Sequence, residues 1–234
     1  MDVEEIIKRV ADEVYAKIRE EEASSAGRSV SGNSGEEWIL SKMSSGMSFE
    51  EMKRACDSVK SSKAKAICLP QWFMNDASAA LKGSGKKLAT IVGLPGGTTS
   101  SFAKYAEAKQ AVVAGADVVM IPVNMTECAL GEWGAAKNDL AESMVPCKGK
   151  AAVYALLEVD SLSCDQLATA AEMCASCGVD KILLSAVVGG TVSDQQIQAC
   201  KKSGACVGVY GGVSNSNVAE YQRAGACCFA SSQC

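Results

Sequence analysis

Eight short apolar runs, separated by stretches of helical periodicity, constrain this chain more than any other feature. The runs are Trp38 to Leu40, Ala64 to Leu69, Lys87 to Val92, Val118 to Pro122, Ala151 to Leu157, Lys181 to Leu184, Cys206 to Val209 and Cys227 to Ala230. Between them lie helical runs such as Ser48 to Lys60, Phe102 to Ala114, Ser163 to Cys177 and Asp194 to Ser203, with Ser163 and Gln166 spaced as a capping box. Strands alternating with helices bury both faces of a parallel sheet. Eight such units in a chain of 234 residues predict an α/β fold, a (β/α)8 TIM barrel, which needs about 250 residues or somewhat fewer.

Composition narrows the function classes. A hydrophobic share of 48% with 21% charged residues is that of a soluble globular chain, and no apolar run approaches the roughly 20 residues that cross a bilayer. Asp2, Glu4 and Glu5 stand where a secretory signal would be basic, so cytoplasmic residence is expected. A net charge of −4 gives no reason to expect nucleic acid, leaving small molecules or proteins as partners. The 12 cysteines are expected to be thiols packed as small hydrophobes and not a disulfide framework. Cys174 and Cys177 form a C-x-x-C pair within an apolar helical run, but the chain has no histidine, and Cys227 and Cys228 are adjacent. Neither a metal site nor a cofactor is expected.

Val3, Ile6, Ile7, Val10, Val14 and Ile18 recur at helical spacing, with charged residues between them. Residues 1–19 are therefore expected to form an amphipathic helix, and the Ser, Gly and Glu-rich residues 20–37 a flexible tether to a barrel over 38–234. Two readings stand for the helix. It packs on the barrel or a sister subunit, or it docks on a shell or partner protein, because its pattern resembles the encapsulation peptides of bacterial microcompartments.

The run Leu88-Ala89-Thr90-Ile91-Val92-Gly93-Leu94-Pro95-Gly96-Gly97-Thr98-Thr99, followed by Glu107-Ala108-Lys109 and Gly115-Ala116-Asp117, resembles the deoxyribose-phosphate aldolase family. Ala66 to Pro70 is similar to that family's second strand, Leu157-Glu158 to the end of its fifth, and Gly211-Gly212 to the turn after its seventh. The resemblance implies a class I aldolase barrel, in which a strand-end lysine forms a Schiff base with an aldehyde beside a second lysine that lowers its pKa. It also implies an aspartate that relays protons.

None of these side chains stands at its implied position. Leu183 occupies that of the Schiff-base lysine, Gly208 that of the second lysine and Met120 that of the aspartate, while Ile39-Leu40 replaces an Asp-His pair on the first strand. Imine chemistry is therefore expected to be lost. One relocated nucleophile offers itself: Lys181 lies two residues before Leu183 and points to the same side of its strand. Its alternative reading is a lysine at the bottom of the barrel with its ammonium in solvent. Cys206 also faces inward by strand parity, but without a histidine base it reads as core.

The resemblance implies phosphate-binding loops at Gly189-Gly190-Thr191, Gly211-Gly212 and Ser231-Ser232. The chain ends at Cys234, so the barrel is expected to be truncated after its eighth strand, with oligomer or shell contacts covering the gap. The function expected is a barrel that binds a phosphorylated small molecule or serves as a structural partner, in a homo-oligomer. The alternative is a lyase acting on a phosphorylated sugar such as 2-deoxyribose 5-phosphate through a relocated residue.

Overall fold

A computed structural model describes residues 36–186 and 190–232. The readings made for residues 1–19, for 20–35 and for Gly189 lie outside the described residues. The eight predicted strands close into a barrel in the order β1 to β8, every neighbouring pair parallel. They are β1 Glu37–Ser41, β2 Ala66–Cys68, β3 Lys87–Ile91, β4 Val118–Pro122, β5 Ala152–Glu158, β6 Lys181–Ser185, β7 Val207–Tyr210 and β8 Cys228–Ser231. Glu37, the last residue of the stretch read as a tether, opens β1.

The helices that cover the sheet are α1 Phe49–Ser61, α2 Met74–Leu81, α3 Ser101–Val113, α4 Met125–Leu130, α5 Trp133–Met144, α6 Cys164–Ser176, α7 Asp194–Lys201 and α8 Val218–Ala224. Capping boxes start three of them, at Ser48 with Glu51, Ser163 with Gln166 and Ser193 with Gln196. Each box satisfies backbone N–H groups that the first helical turn leaves open.

Strand parity divides the core in two. Leu40, Ile67, Val119, Leu157, Leu184 and Phe229 pack outward under the helices. Ile39, Cys68, Ile91, Met120, Tyr154, Leu156, Leu183 and Ala230 fill the lumen. Each leucine, isoleucine or methionine among them taken fully from water contributes about 1.5–3 kcal/mol, so an apolar lumen is a large part of what holds the barrel closed.

The cysteine reading needs one correction. Cys206 and Cys227, expected as thiols, form a disulfide between the residues just ahead of β7 and β8. Their Cα atoms are 6.5 Å apart, because the last ladder brings the two strand entrances side by side, with the Cys227 N–H bonded to the Val207 carbonyl. Cys206 is therefore a cross-link and not an isolated inward thiol. Cys174 is buried in α6, and Cys177 caps that helix with its thiol turned to the Lys137 carbonyl.

Candidate active site

Barrel active sites form at the C-terminal ends of the strands. Here the lumen below that mouth is closed by hydrocarbon. Leu183 and Met120 are both fully buried. Leu183 pairs in register with Gly208 on β7, and Met120 with Ile91 and Tyr154 on its two neighbours. A β-carbon added at Gly208 would collide with the Cys228 carbonyl oxygen and would come within 2.7 Å of Leu183 Cδ2. Position 208 therefore has no room for any side chain while Leu183 stays in place. Ile39 also projects into the lumen, whereas Leu40 turns to the helices.

Lys181 stands at the opposite end. It is the first residue of β6, beside Tyr154 in register, and its ammonium forms an ion pair with Glu37, the first residue of β1. The Tyr154 hydroxyl donates to the other oxygen of the same carboxylate at 3.0 Å. The Lys181 side chain is 18% exposed, so its ammonium is held by a carboxylate instead of reaching open solvent, which corrects the solvent-facing reading. The pairing has a simple cause: a lysine entering an apolar lumen needs a counter-charge.

A second buried lysine lies outside the barrel wall. Lys104 on α3 is fully buried, pairs with Asp139 on α5 and donates to the Pro122 carbonyl at 3.4 Å. Its stem passes Gly93 so closely that a β-carbon there would sit 2.8 Å from Lys104 Cγ. Burial raises the carboxyl pKa of Asp139 against the opposing pull of Lys104. Glu127 on α4 adds a third charge, its own pKa raised by burial and then by Asp139.

The mouth itself carries a polar rim. Ser41 Oγ and the Tyr210 hydroxyl meet at 2.7 Å across the lumen, joining the ends of β1 and β7. Burial raises the Tyr210 phenol, although the Ser41 hydrogen bond opposes it. Cys68 beneath them is pushed up to about 12 by burial and is an inert thiol at neutral pH. The Lys42 ammonium donates to the Ser232 carbonyl at 2.7 Å. A cavity of about 340 Å³ opens among Ser41, Lys42, Tyr210, Gly211, Gly212 and Ser232, with Met43, Met47 and Ala230 as its apolar wall.

The loops named as phosphate sites converge here in part. Gly211 and Gly212 both have left-handed φ, +78° and +63°, and a β-carbon on Gly212 would lie 3.8 Å from the Gly190 carbonyl. The loops after β6 and β7 thus touch. Gly211 gives its N–H to the Ala230 carbonyl at 2.8 Å, so its part is to shape the turn. Ser231 is buried and its hydroxyl donates to the Val213 carbonyl at 2.8 Å, while Ser232 lines the cavity. Thr191 is exposed next to Gly190. Asp160, after β5, approaches the same loop, 3.5 Å from where a β-carbon on Gly190 would stand. The nearby Glu158 carboxyl is raised by burial and then by Asp160.

Ser41, Lys42 and Tyr210 escaped the sequence reading. The signal was parity: Ser41 is two residues after Ile39 and Tyr210 two after Gly208, so both belong in the lumen at its mouth. Among the described residues, no three Cys, Asp or Glu side chains cluster as metal ligands.

Relatives place this barrel in a family. The model of the DeoC/LacD family aldolases matches residues 40–209. The deoxyribose-phosphate aldolase of Streptococcus equi subsp. zooepidemicus is 28% identical over 150 residues, 63% of this chain and 68% of that protein. That of Aciduliprofundum boonei is 31% identical over 143 residues, 60% of this chain and 64% of that one. The chain thus aligns over about two thirds of these relatives' length. The fold matches the tetrameric deoxyribose phosphate aldolase of Aeropyrum pernix with a TM-score of 0.74 at 18% identity, covering 83% of this chain and 85% of that one. A family match over residues 40–209, most of the described barrel, means that the chain belongs to the DeoC/LacD aldolase family.

Proposed function

We propose that this family member binds a small phosphorylated compound at the C-terminal mouth of its barrel and does so without forming a Schiff base. The observation that carries the reading is the closure of position 208. An imine-forming lysine needs a cationic neighbour or a desolvated pocket to free its amine. Leu183 over Gly208, with Met120 buried below, offers hydrocarbon where such chemistry needs two amines and an acid. Against a lyase working through Lys181 stands its ion pair with Glu37 at the far end of the barrel.

The phosphate side of the reading rests on the rim. Gly211, Gly212 and Ser232 line an opening whose volume suits a triose or pentose phosphate, and the Gly190 carbonyl lies beside Gly212. The names of the relatives point to 2-deoxyribose 5-phosphate as the first compound to test. Thermal unfolding with and without that compound is the experiment, since a ligand of the folded state raises the midpoint whether or not it turns over. A rise saturating with 2-deoxyribose 5-phosphate, and absent with unphosphorylated 2-deoxyribose, supports the proposal. No rise with either removes it.

A homo-oligomer is the proposed assembly, measured by light scattering on the full chain. Residues 1–19 are proposed as the segment that engages a shell or partner protein, and a reporter carrying them alone would co-localise with that partner.

A further inference from the structure

The mouth holds a cation, Lys42, that the aldolase-type positions do not account for. Lys42 directly follows β1, and its backbone N–H continues the ladder by donating to the Cys68 carbonyl at 2.9 Å. Its stem is therefore anchored. Its ammonium reaches across to the Ser232 carbonyl at 2.7 Å, on the wall of the cavity that Gly212 and Tyr210 share. Among the described residues, no carboxylate stands within ion-pair distance of it, unlike Lys53, Lys60, Lys104 and Lys181. An ammonium carries three donors, and one neutral carbonyl balances none of its charge.

The surroundings add one further cation and one carboxylate. On the other side of Lys42, a groove of about 380 Å³ includes Arg54 of α1. The carboxylate on that wall, Glu51, turns one oxygen, Oε2, to Ser48, accepting from its N–H at 2.7 Å and its hydroxyl at 2.8 Å. These two bonds hold its pKa below the ordinary value.

We infer that Lys42 is the charged anchor of the mouth, pairing with the phosphoryl oxygens of the ligand where Gly212 and Ser232 close the rim. The inference rests on the reading that the mouth takes a phosphorylated compound, and it names the residue that decides affinity for that group. A plain structural role would be a tie between the end of β1 and the segment after β8. The two roles separate by chemistry: glutamine keeps a donor for the Ser232 carbonyl and loses the charge, whereas arginine keeps both.

The test is calorimetric titration of the full chain with 2-deoxyribose 5-phosphate and with inorganic phosphate. Lys42→Gln is expected to weaken both by about tenfold or more, and Lys42→Arg by no more than about threefold, as fits a charge-assisted bond to phosphate. Equal binding by wild type and Lys42→Gln overturns the inference while leaving the binding reading intact. No binding by wild type overturns both. The slope of wild-type affinity against sodium chloride is the second readout, independent of whether the glutamine variant folds. A falling slope supports a charged anchor and a flat one contradicts it. A borohydride-stable adduct on Lys42 would also overturn the inference, since it would make that amine a nucleophile.

Discussion

Leu183 overhangs Gly208, its Cδ2 lying 2.7 Å from the place a β-carbon at 208 would take. The two residues are register partners on β6 and β7, and both are positions where the family resemblance implies lysine. One position carries a branched hydrocarbon and the other carries no side chain. They pack as a single unit, so position 208 takes no side chain while Leu183 stays in place.

Gly208→Ala should therefore destabilise the barrel by about 1–3 kcal/mol, the usual range for overpacking a filled core. Leu183→Ala alone should cost about 2–5 kcal/mol through the cavity it leaves. Combined, the two should cost less than their sum, because the cavity accepts the new methyl on the Leu183 side. Relief stays partial, since the Cys228 carbonyl remains in the way. Urea unfolding of the four proteins of this cycle gives the coupling, and strict additivity would mean that the contact is not formed.

At the other end of the lumen, Lys181→Met should cost on the order of 2–3 kcal/mol, because it leaves the mostly buried Glu37 carboxylate with only the Tyr154 hydroxyl. Lys181→Met with Glu37→Leu should recover a good part of that loss. Phosphate binding at the mouth should be the same in both variants. Denaturant midpoints and calorimetry measure the two effects separately, and a loss of ligand binding on Lys181→Met would give that lysine a role at the mouth.

How far the sequence could be read follows from these same residues. Strand positions were legible because β6 and β4 carry continuous apolar runs, and β4 was read at Val118 to Pro122, where it stands. Helices with box-type caps, such as α6 at Ser163, announced themselves; α2 and α5 begin with no side-chain cap and gave no comparable signal. Leu183 and Gly208 were found as absences, but their mutual contact depends on register across two strands, which no local pattern encodes. The partner of Lys181 was hidden for the same reason, since Glu37 is 144 residues away in sequence. The Cys206–Cys227 pairing was missed because a count of thiols carries no distance.

Reduction of that disulfide should lower stability by about 3 kcal/mol at most, the loop-closure effect for a cross-link spanning 21 residues. Thermal unfolding with and without reductant, repeated on Cys206→Ser, isolates the bond. A Cys206→Ser variant that responds to reductant as strongly as wild type would show that a different cysteine pair carries the effect.

Glu127 gives a pH prediction whose sign is fixed. Its folded-state pKa is raised above the ordinary value near 4.5 by burial and by Asp139, so the folded chain holds a proton there more tightly than the unfolded one. Its charged form therefore costs stability above the folded pKa, and that cost fades as pH falls through it towards 4.5. Glu127→Gln should be the more stable protein at pH 7, by up to about 1 kcal/mol, with its advantage shrinking on acidification. Its Oε2 atom is buried without a hydrogen-bond partner, which points the same way. Urea midpoints across that pH range check it, and an advantage that grows as pH falls would contradict the assignment.

The measurement closest to the central claim is borohydride trapping. The full chain is incubated with 2-deoxyribose 5-phosphate or acetaldehyde, reduced, and weighed intact by mass spectrometry, with peptide mapping of any adduct. A mass unchanged from the untreated chain, while the same compound still raises the unfolding midpoint, is the predicted result. An adduct on any lysine, with cleavage of the sugar phosphate, would contradict it.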